Sequence, residues 1–358
     1  MNNKIILGIV IILIVIAILF LSKTKVQNDN NTNSTTVDIK TSDRVNLKAS
    51  QYPKAIEIVN PSGYLNTDSI NIQDNIGKKV ILVDFWTYTC INCQRTFPYL
   101  NSWWDKYKDQ GLLIIGIHTP EFEFEKDHNN VQQAIDKYNI KYPVVQDNDY
   151  STWSAYGNRY WPREYLIDID GFIVHDHVGE GGYEETEQKI QELLEERKNV
   201  LNEQENITNE ISNPNITNTE FQNIGTQEIY FGYGFSRDQF GNEEGWQQDK
   251  TVSYSIPDNI DEGKFYLDGS WLNNNDNMEL QSDNGTIKLK YSSKTVNLVA
   301  GSTNEVNAKI YINDKYIKDV KIKDYDLYNL YSAEDYGENT LKIVFEDKGV
   351  KAYTFTFG

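Results

Sequence analysis

Val80-Ile81-Leu82-Val83-Asp84-Phe85-Trp86-Thr87-Tyr88-Thr89-Cys90-Ile91-Asn92-Cys93 decides how the first half of the chain folds. It opens on a continuous apolar run, the signature of a strand buried on both faces. The residues from Cys93 to Gln110 read as a helix closed by Gly111, which puts both cysteines at a strand-to-helix junction. Leu112–Ile117 is a second buried strand, and Val131–Asn139 a helix with Val131, Ile135 and Tyr138 at helical spacing. Glu164–Ile169 and Gly171–Val178 are strands around the turn Asp170-Gly171. Thr186–Lys198 is a charged helix that buries Ile190, Leu193 and Leu194, and upstream Ala55–Val59 and Ser69–Ile72 flank the turn Pro61-Ser62-Gly63 as short strands. This order predicts an α/β fold with a central sheet flanked by helices.

Cys90 and Cys93 are the two cysteines of the chain. A structural disulfide between them would contribute little, because its stabilisation grows with the loop it closes. Half of a zinc site would need two further ligands, and His118, His128, His175 and His177 are the imidazoles available. Redox chemistry fits the position better. Cys90, exposed at a helix N-terminus, is placed for the thiolate that attacks disulfides, and Cys93, one turn on, for resolving the mixed disulfide.

The segment Val83–Cys93 resembles the active-site segment of the thioredoxin superfamily. Pro98 then matches that family's helix-kinking proline, and Asp84 its buried acid, implied to take a proton from the resolving cysteine. Trp161-Pro162, before the strand Glu164–Ile169, matches the cis-proline implied to face the disulfide and bind substrate backbone. The resemblance is closest to DipZ-type proteins, relatives of the TlpA/ResA membrane-anchored thioredoxins. It extends to His118-Thr119-Pro120-Glu121-Phe122-Glu123-Phe124, to Gly179-Glu180-Gly181-Gly182-Tyr183 and to the terminal run Gly349–Gly358. It implies a redox-active Cys90–Cys93 disulfide without further cofactor or metal. Candidate catalytic residues are Cys90, Cys93 and Asp84; candidate substrate-binding residues are Trp86, Trp161, Pro162, His118, Glu121, Gly179 and Glu180. His118 and Glu121 follow the strand Leu112–Ile117 and so belong to the sheet edge where ligand sites gather. They read as a charged wall beside Cys90 or as a solvated loop. His175 and His177 alternate with Asp176 and share one strand face.

Outside this core, Ile5–Leu21 is an uncharged apolar run just long enough to span a bilayer, with no small-x-small cleavage site after it. Residues 1–25 are therefore expected to anchor the chain in the membrane, N-terminus in and body outside, with 26–50 as a polar tether. The sequons Asn206-Ile207-Thr208 and Asn215-Ile216-Thr217 fit that location. Residues 51–198 form the thioredoxin-like domain, and the Asn-, Glu- and Thr-rich stretch 199–222 a linker. Short strand-like runs recur through 223–358 between Gly, Asn and Asp clusters, which predicts an all-β sandwich, jelly-roll-like by resemblance. Its Trp246, Trp271, Tyr233, Tyr254 and Tyr266 are candidates for stacking on sugar or for core packing. The net charge of −19 argues against nucleic acid as a partner.

Three functions fit these residues. A reductase would act on client protein disulfides outside the membrane with electrons from a separate membrane partner. An oxidase or isomerase would run the same chemistry at the opposite poise, and Ile91 and Asn92 between the cysteines do not decide between them. A cell-surface binding protein would act through the β domain on a carbohydrate or protein ligand.

Overall fold

A computed structural model describes residues 41–204, 206–214 and 221–358. The expected anchor Ile5–Leu21 lies outside the described residues, and among the described residues no helix is long and apolar enough to cross a membrane. Residues 47–358 form one compact unit.

The first part is a six-stranded sheet in the order β1 (Gly63–Leu65), β4 (Val144–Gln146), β3 (Leu112–His118), β2 (Val80–Trp86), β5 (Arg163–Ile167), β6 (Ile173–Val178). Strands β2, β3 and β4 run parallel, while β1, β5 and β6 pair antiparallel with their neighbours. Every residue of β2 is buried. Val80, Leu82 and Trp86 pack on one face of the sheet and Ile81, Val83 and Phe85 on the other, as a strand covered on both sides requires. The helices are α1 (Thr41–Ala49), α2 (Ile91–Tyr107), α3 (His128–Lys137), α4 (Ser151–Ala155) and α5 (Tyr183–Leu201). Helix α2 carries Cys93, Phe97, Leu100, Trp103 and Tyr107 in one buried stripe, which seats it on the Val80–Trp86 face.

Three sequence expectations change. Helix α1 lies within the stretch expected to be a plain tether, where Asp43 in its first turn and Lys48 in its last complement the helix dipole. Neither Ala55–Val59 nor Ser69–Ile72 is a strand; the edge strand is Gly63–Leu65, paired to β4. Glu57 explains the loss: its carboxylate accepts from the amides of Ile58, Ile72 and Gln73, so both segments are tied through a side chain instead of a ladder. The stretch expected as a linker is also anchored. Helix α5 runs on to Leu201, and beyond it Lys106 donates to the Glu210 carbonyl at 2.6 Å while Ser212 N donates to Glu187 Oε2 at 2.6 Å. Gln110 exchanges side-chain hydrogen bonds with Thr208 N and Oγ1.

The second part is all β, with strands β7 (Ile229–Tyr230), β8 (Thr251–Tyr254), β9 (Phe265–Asn273), β10 (Met278–Leu280), β11 (Gly285–Ser292), β12 (Thr295–Ser302), β13 (Val306–Ile312), β14 (Lys315–Ile322), β15 (Asp326–Ser332), β16 (Glu338–Phe345) and β17 (Val350–Phe357). They form one antiparallel system running β14-β13-β16-β11-β9-β10-β17-β12-β15 that curls nearly into a barrel. Strand β9 turns the corner. Its first half pairs with β11 and its second with β8 and β10, with Gly269 at φ +100° in between. Trp271, Tyr254 and Tyr266 are buried in this domain, and Trp246 donates its indole N–H to the Phe231 carbonyl, so these aromatics build the interior rather than an open stacking platform.

The two parts meet through aromatic rings. Phe122 and Phe124 from the turn after β3 pack on Tyr230, Phe235, Tyr325 and Tyr353 of the β domain. Phe122 is 2% exposed, so Phe122→Ala is expected to destabilise the protein by about 3–5 kcal/mol. Urea unfolding should remain a single transition, followed alike by circular dichroism and tryptophan fluorescence. Two separate transitions in the wild type would contradict this coupling.

Candidate active site

Strand β2 delivers the chain to the site. After Trp86 the backbone turns through Thr87-Tyr88-Thr89, and Cys90 caps α2 in an extended conformation. The Cys93 amide donates to Cys90 Sγ at 3.2 Å, the bond that a sulfur bearing negative charge accepts. Cys90 is half-buried at the floor of a cleft of about 280 Å3, whereas Cys93 is fully buried. Burial pushes the Cys93 thiol well above its ordinary range, and the neighbouring Cys90 adds to the effect. The exposed sulfur is the one a client disulfide can reach.

Beneath Cys93 lies Asp84, 1% exposed, with no hydrogen-bond partner for either carboxylate oxygen. Burial pushes its pKa up to about 8. Strand register puts Gly116 of β3 on one side of Asp84 and Glu164 of β5 on the other. Position 116 has to be glycine: a Cβ there would come within 2.7 Å of the Trp86 indole nitrogen. Such an orphaned, buried carboxylate is costly, and a pKa in this range is what general-base chemistry near neutral pH requires.

The cleft wall is composite. Glu121, Trp161, Glu228, Tyr230 and Arg237 surround Cys90, the last three from the β domain. Tyr230 OH lies 2.7 Å from Glu121 Oε1 and 3.0 Å from Glu228 Oε2, and the Arg237 guanidinium sits over the Tyr230 ring at 4.6 Å. Burial and the nearby Glu228 and Glu125 raise the Glu121 carboxyl above its usual range. Trp161 donates its indole N–H to the Thr119 carbonyl at 3.0 Å. The Trp161–Pro162 peptide bond is cis, and the Gly179 amide donates to the Pro162 carbonyl at 2.9 Å. Glu180 is held by Arg95 of α2 at 2.9 Å.

Two expected contact residues are elsewhere. His118 is fully buried between the rings of Trp86 and Tyr88, and desolvation lowers its pKa to about 3. It is therefore a neutral packing residue and not part of a charged wall. Trp86 is likewise fully buried, its ring packed edge-on against Phe97, out of reach of a client. One residue central to the site was not among the candidates. Glu125, fully buried, accepts from Thr89 Oγ1 at 2.6 Å and from the amides of Glu121 and Phe122 at 2.6 and 2.9 Å. It ties the turn before Cys90 to the turn that enters the β domain. In Glu121-Phe122-Glu123-Phe124-Glu125 it has the look of a surface acid, and only the alternation with two phenylalanines hinted at burial.

Residues 54–176 match the AhpC/TSA family, and residues 226–358 match a family described as thioredoxin like C-terminal domain. DipZ of Mycobacterium tuberculosis is 34% identical over 299 residues, which cover 83% of this chain and 42% of DipZ. The chain thus spans less than half the length of that relative. The thiol-disulfide oxidoreductase ResA of Halalkalibacterium halodurans is 35% identical over 131 residues, 37% of this chain and 69% of ResA. The thiol-disulfide oxidoreductase YkuV of Bacillus subtilis is 29% identical over 140 residues, 39% of this chain and 93% of YkuV.

Asp84 also sets a pH dependence of stability. Its carboxyl titrates near 3.8 in the unfolded chain and near about 8 in the fold. The fold favours the protonated form, so this contribution is complete below pH 3.8 and is lost as pH rises towards about 8. At about 1.4 kcal/mol per pH unit, the loss is on the order of several kcal/mol. Asp84→Asn should therefore raise the urea midpoint at pH 8 and converge with the wild type near pH 4. Parallel stability curves for the two proteins across this range would contradict the assignment.

Proposed function

Because the chain belongs to the thioredoxin-like thiol–disulfide oxidoreductases, we propose that it works as a reductase of client protein disulfides outside the membrane, anchored by Ile5–Leu21. The carrying observation is that burial acts on Cys93 and Asp84 together. Two adjacent groups that resist ionisation leave the dithiol without the ionic stabilisation that would favour it over the disulfide. A pair that gains by becoming a disulfide donates electrons, the opposite of an oxidant whose reduced form is stabilised.

The steps follow from the geometry. Cys90 thiolate attacks one sulfur of the client disulfide, forming a Cys90–client disulfide and releasing the other client sulfur as a thiolate. Asp84 takes the Cys93 proton, and Cys93 sulfur attacks Cys90 sulfur. The Cys90–Cys93 disulfide forms, the second client thiolate leaves, and two electrons have passed to the client. A second dithiol restores the pair by the same exchange, and a membrane electron carrier is the donor we assign. The composite cleft suits a polypeptide client, since Tyr160 and Trp161 line it together with Cys90 and the β domain adds Tyr230, Arg237 and Thr354 to the same wall.

Equilibration of the pair against glutathione tests the direction. We expect a reduction potential near that of thioredoxin, about −270 mV. A value near about −120 mV would identify an oxidase instead.

A further inference from the structure

Asp84 is not the last acid under the site. Its antiparallel partner on β5 is Glu164, 2% exposed, and the next residue across the sheet is His177 on β6. Directly opposed residues on one face lie about 5 Å apart at Cβ. Thr186 of α5, fully buried, hydrogen-bonds Glu164 and also lies 3.4 Å from His175 Nε2. His175 is half-exposed on β6, the edge strand of the sheet. A row of proton-bearing groups therefore runs from the buried thiol to the rim, Cys93, Asp84, Glu164, Thr186 and His175, hydrogen-bonded from Glu164 outward and joined at Asp84 by strand register alone.

We propose that Glu164, Thr186 and His175 form a relay that carries the resolving proton from Asp84 to solvent. The inference rests on the resolving roles of Cys93 and Asp84 given above. Glu164 and Thr186 are positioning and relay groups, since neither touches the reacting sulfurs.

The chemistry balances with one proton in and one out. Two adjacent buried carboxylates with no cation acting on either do not both ionise, so at least one proton stays on the pair, and the resolving step starts from the form that holds one, on Glu164. When Asp84 accepts the Cys93 proton, Glu164 gives its own to the Thr186 hydroxyl, which passes its hydrogen to His175 Nε2. The imidazolium releases a proton to water, and the proton on Asp84 moves across to Glu164, which returns the pair to its starting state. Desolvation lowers the His175 pKa, which hastens that release. The other ionisable groups facing the row are Tyr142 and Tyr183 beside the carboxylates, and Glu185, Lys189, Asp176 and His177 around His175. A role in packing alone would be met by apolar residues at 164 and 186, as it is at Leu166 on the same strand face.

The test is stopped-flow release of both thiols from a disulfide-bridged peptide carrying a fluorescent leaving group, with the reduced full-length chain, from pH 5 to 9. The first, Cys90-dependent release serves as the internal control. Glu164→Gln and the isosteric Thr186→Val should each slow the second release at least tenfold at pH 7. In Glu164→Gln the midpoint of the pH profile should also move, since Asp84 then titrates without a neighbour that shares its proton. His175→Gly should be slow and should recover with added imidazole. Wild-type second-step rates and midpoints in Glu164→Gln and Thr186→Val, or a His175→Gly defect that imidazole leaves unchanged, would overturn the relay. Asp84→Asn separates the two levels: if it is slow while the relay variants are not, the relay alone fails, and if it too is unaffected, the base assignment falls with it.

Discussion

A carboxylate with no partner, sealed under a thiol, is the constraint around which the first domain is arranged. To keep Asp84 dry, β2 must be covered on both faces, and it is, by α2 on one side and the Ile81–Phe85 cluster on the other. Gly116 must leave room beside it for the Trp86 and Tyr142 rings. Helix α2 must start one turn above it, so that Cys93 faces the acid and Cys90 faces the solvent. Each of these features is a packing decision with a chemical consequence. Burial is what separates the two sulfurs into an accessible and an enclosed thiol, and it also lifts Asp84 into the range where it can exchange protons near neutrality.

A second buried acid extends that order to the other half of the molecule. Glu125 spends its oxygens on Thr89 and on the amides that lead into Phe122, so the turn before Cys90 and the docking turn of the β domain share one carboxylate. Phe122 and Phe124 then bury themselves among Tyr230, Tyr353 and Tyr325. In consequence the β domain is not a passenger. Its Tyr230, Glu228 and Arg237 stand in the wall of the Cys90 cleft.

Much of this was legible in the sequence. The run Val80–Val83, the cysteine spacing and the stripe of α2 fixed the layers and the junction, because buried strands and amphipathic helices leave strong periodic signals. Asp84 stood out as a charge inside such a run. What escaped was written in tertiary pairing. Lys315–Ile322 and Asp326–Ser332, the end strands of the β system, carry polar residues, three lysines in the first and Asp326, Asn329 and Ser332 in the second, as sheet edges do, and so did not read as strands. Glu57 replaced two expected strands by side-chain bonds that no periodicity reports. Glu125 and Glu164 drew no functional reading, since nothing local announces that a carboxylate will meet Thr89 or lie opposite Asp84. His118 was misplaced for the opposite reason: its sheet edge was foreseen, but not the rings of Trp86 and Tyr88 that enclose it.

Everything above depends on Asp84 being both buried and coupled to the resolving thiol. Carbon-13 NMR of the aspartate side chains, titrated in the reduced protein, reads that state directly. The account expects one carboxyl, assigned by its absence in Asp84→Asn, to titrate near about 8 and to shift when Cys93 is replaced by serine. An Asp84 that titrates near 3.8, unaffected by the residue at position 93, would contradict it.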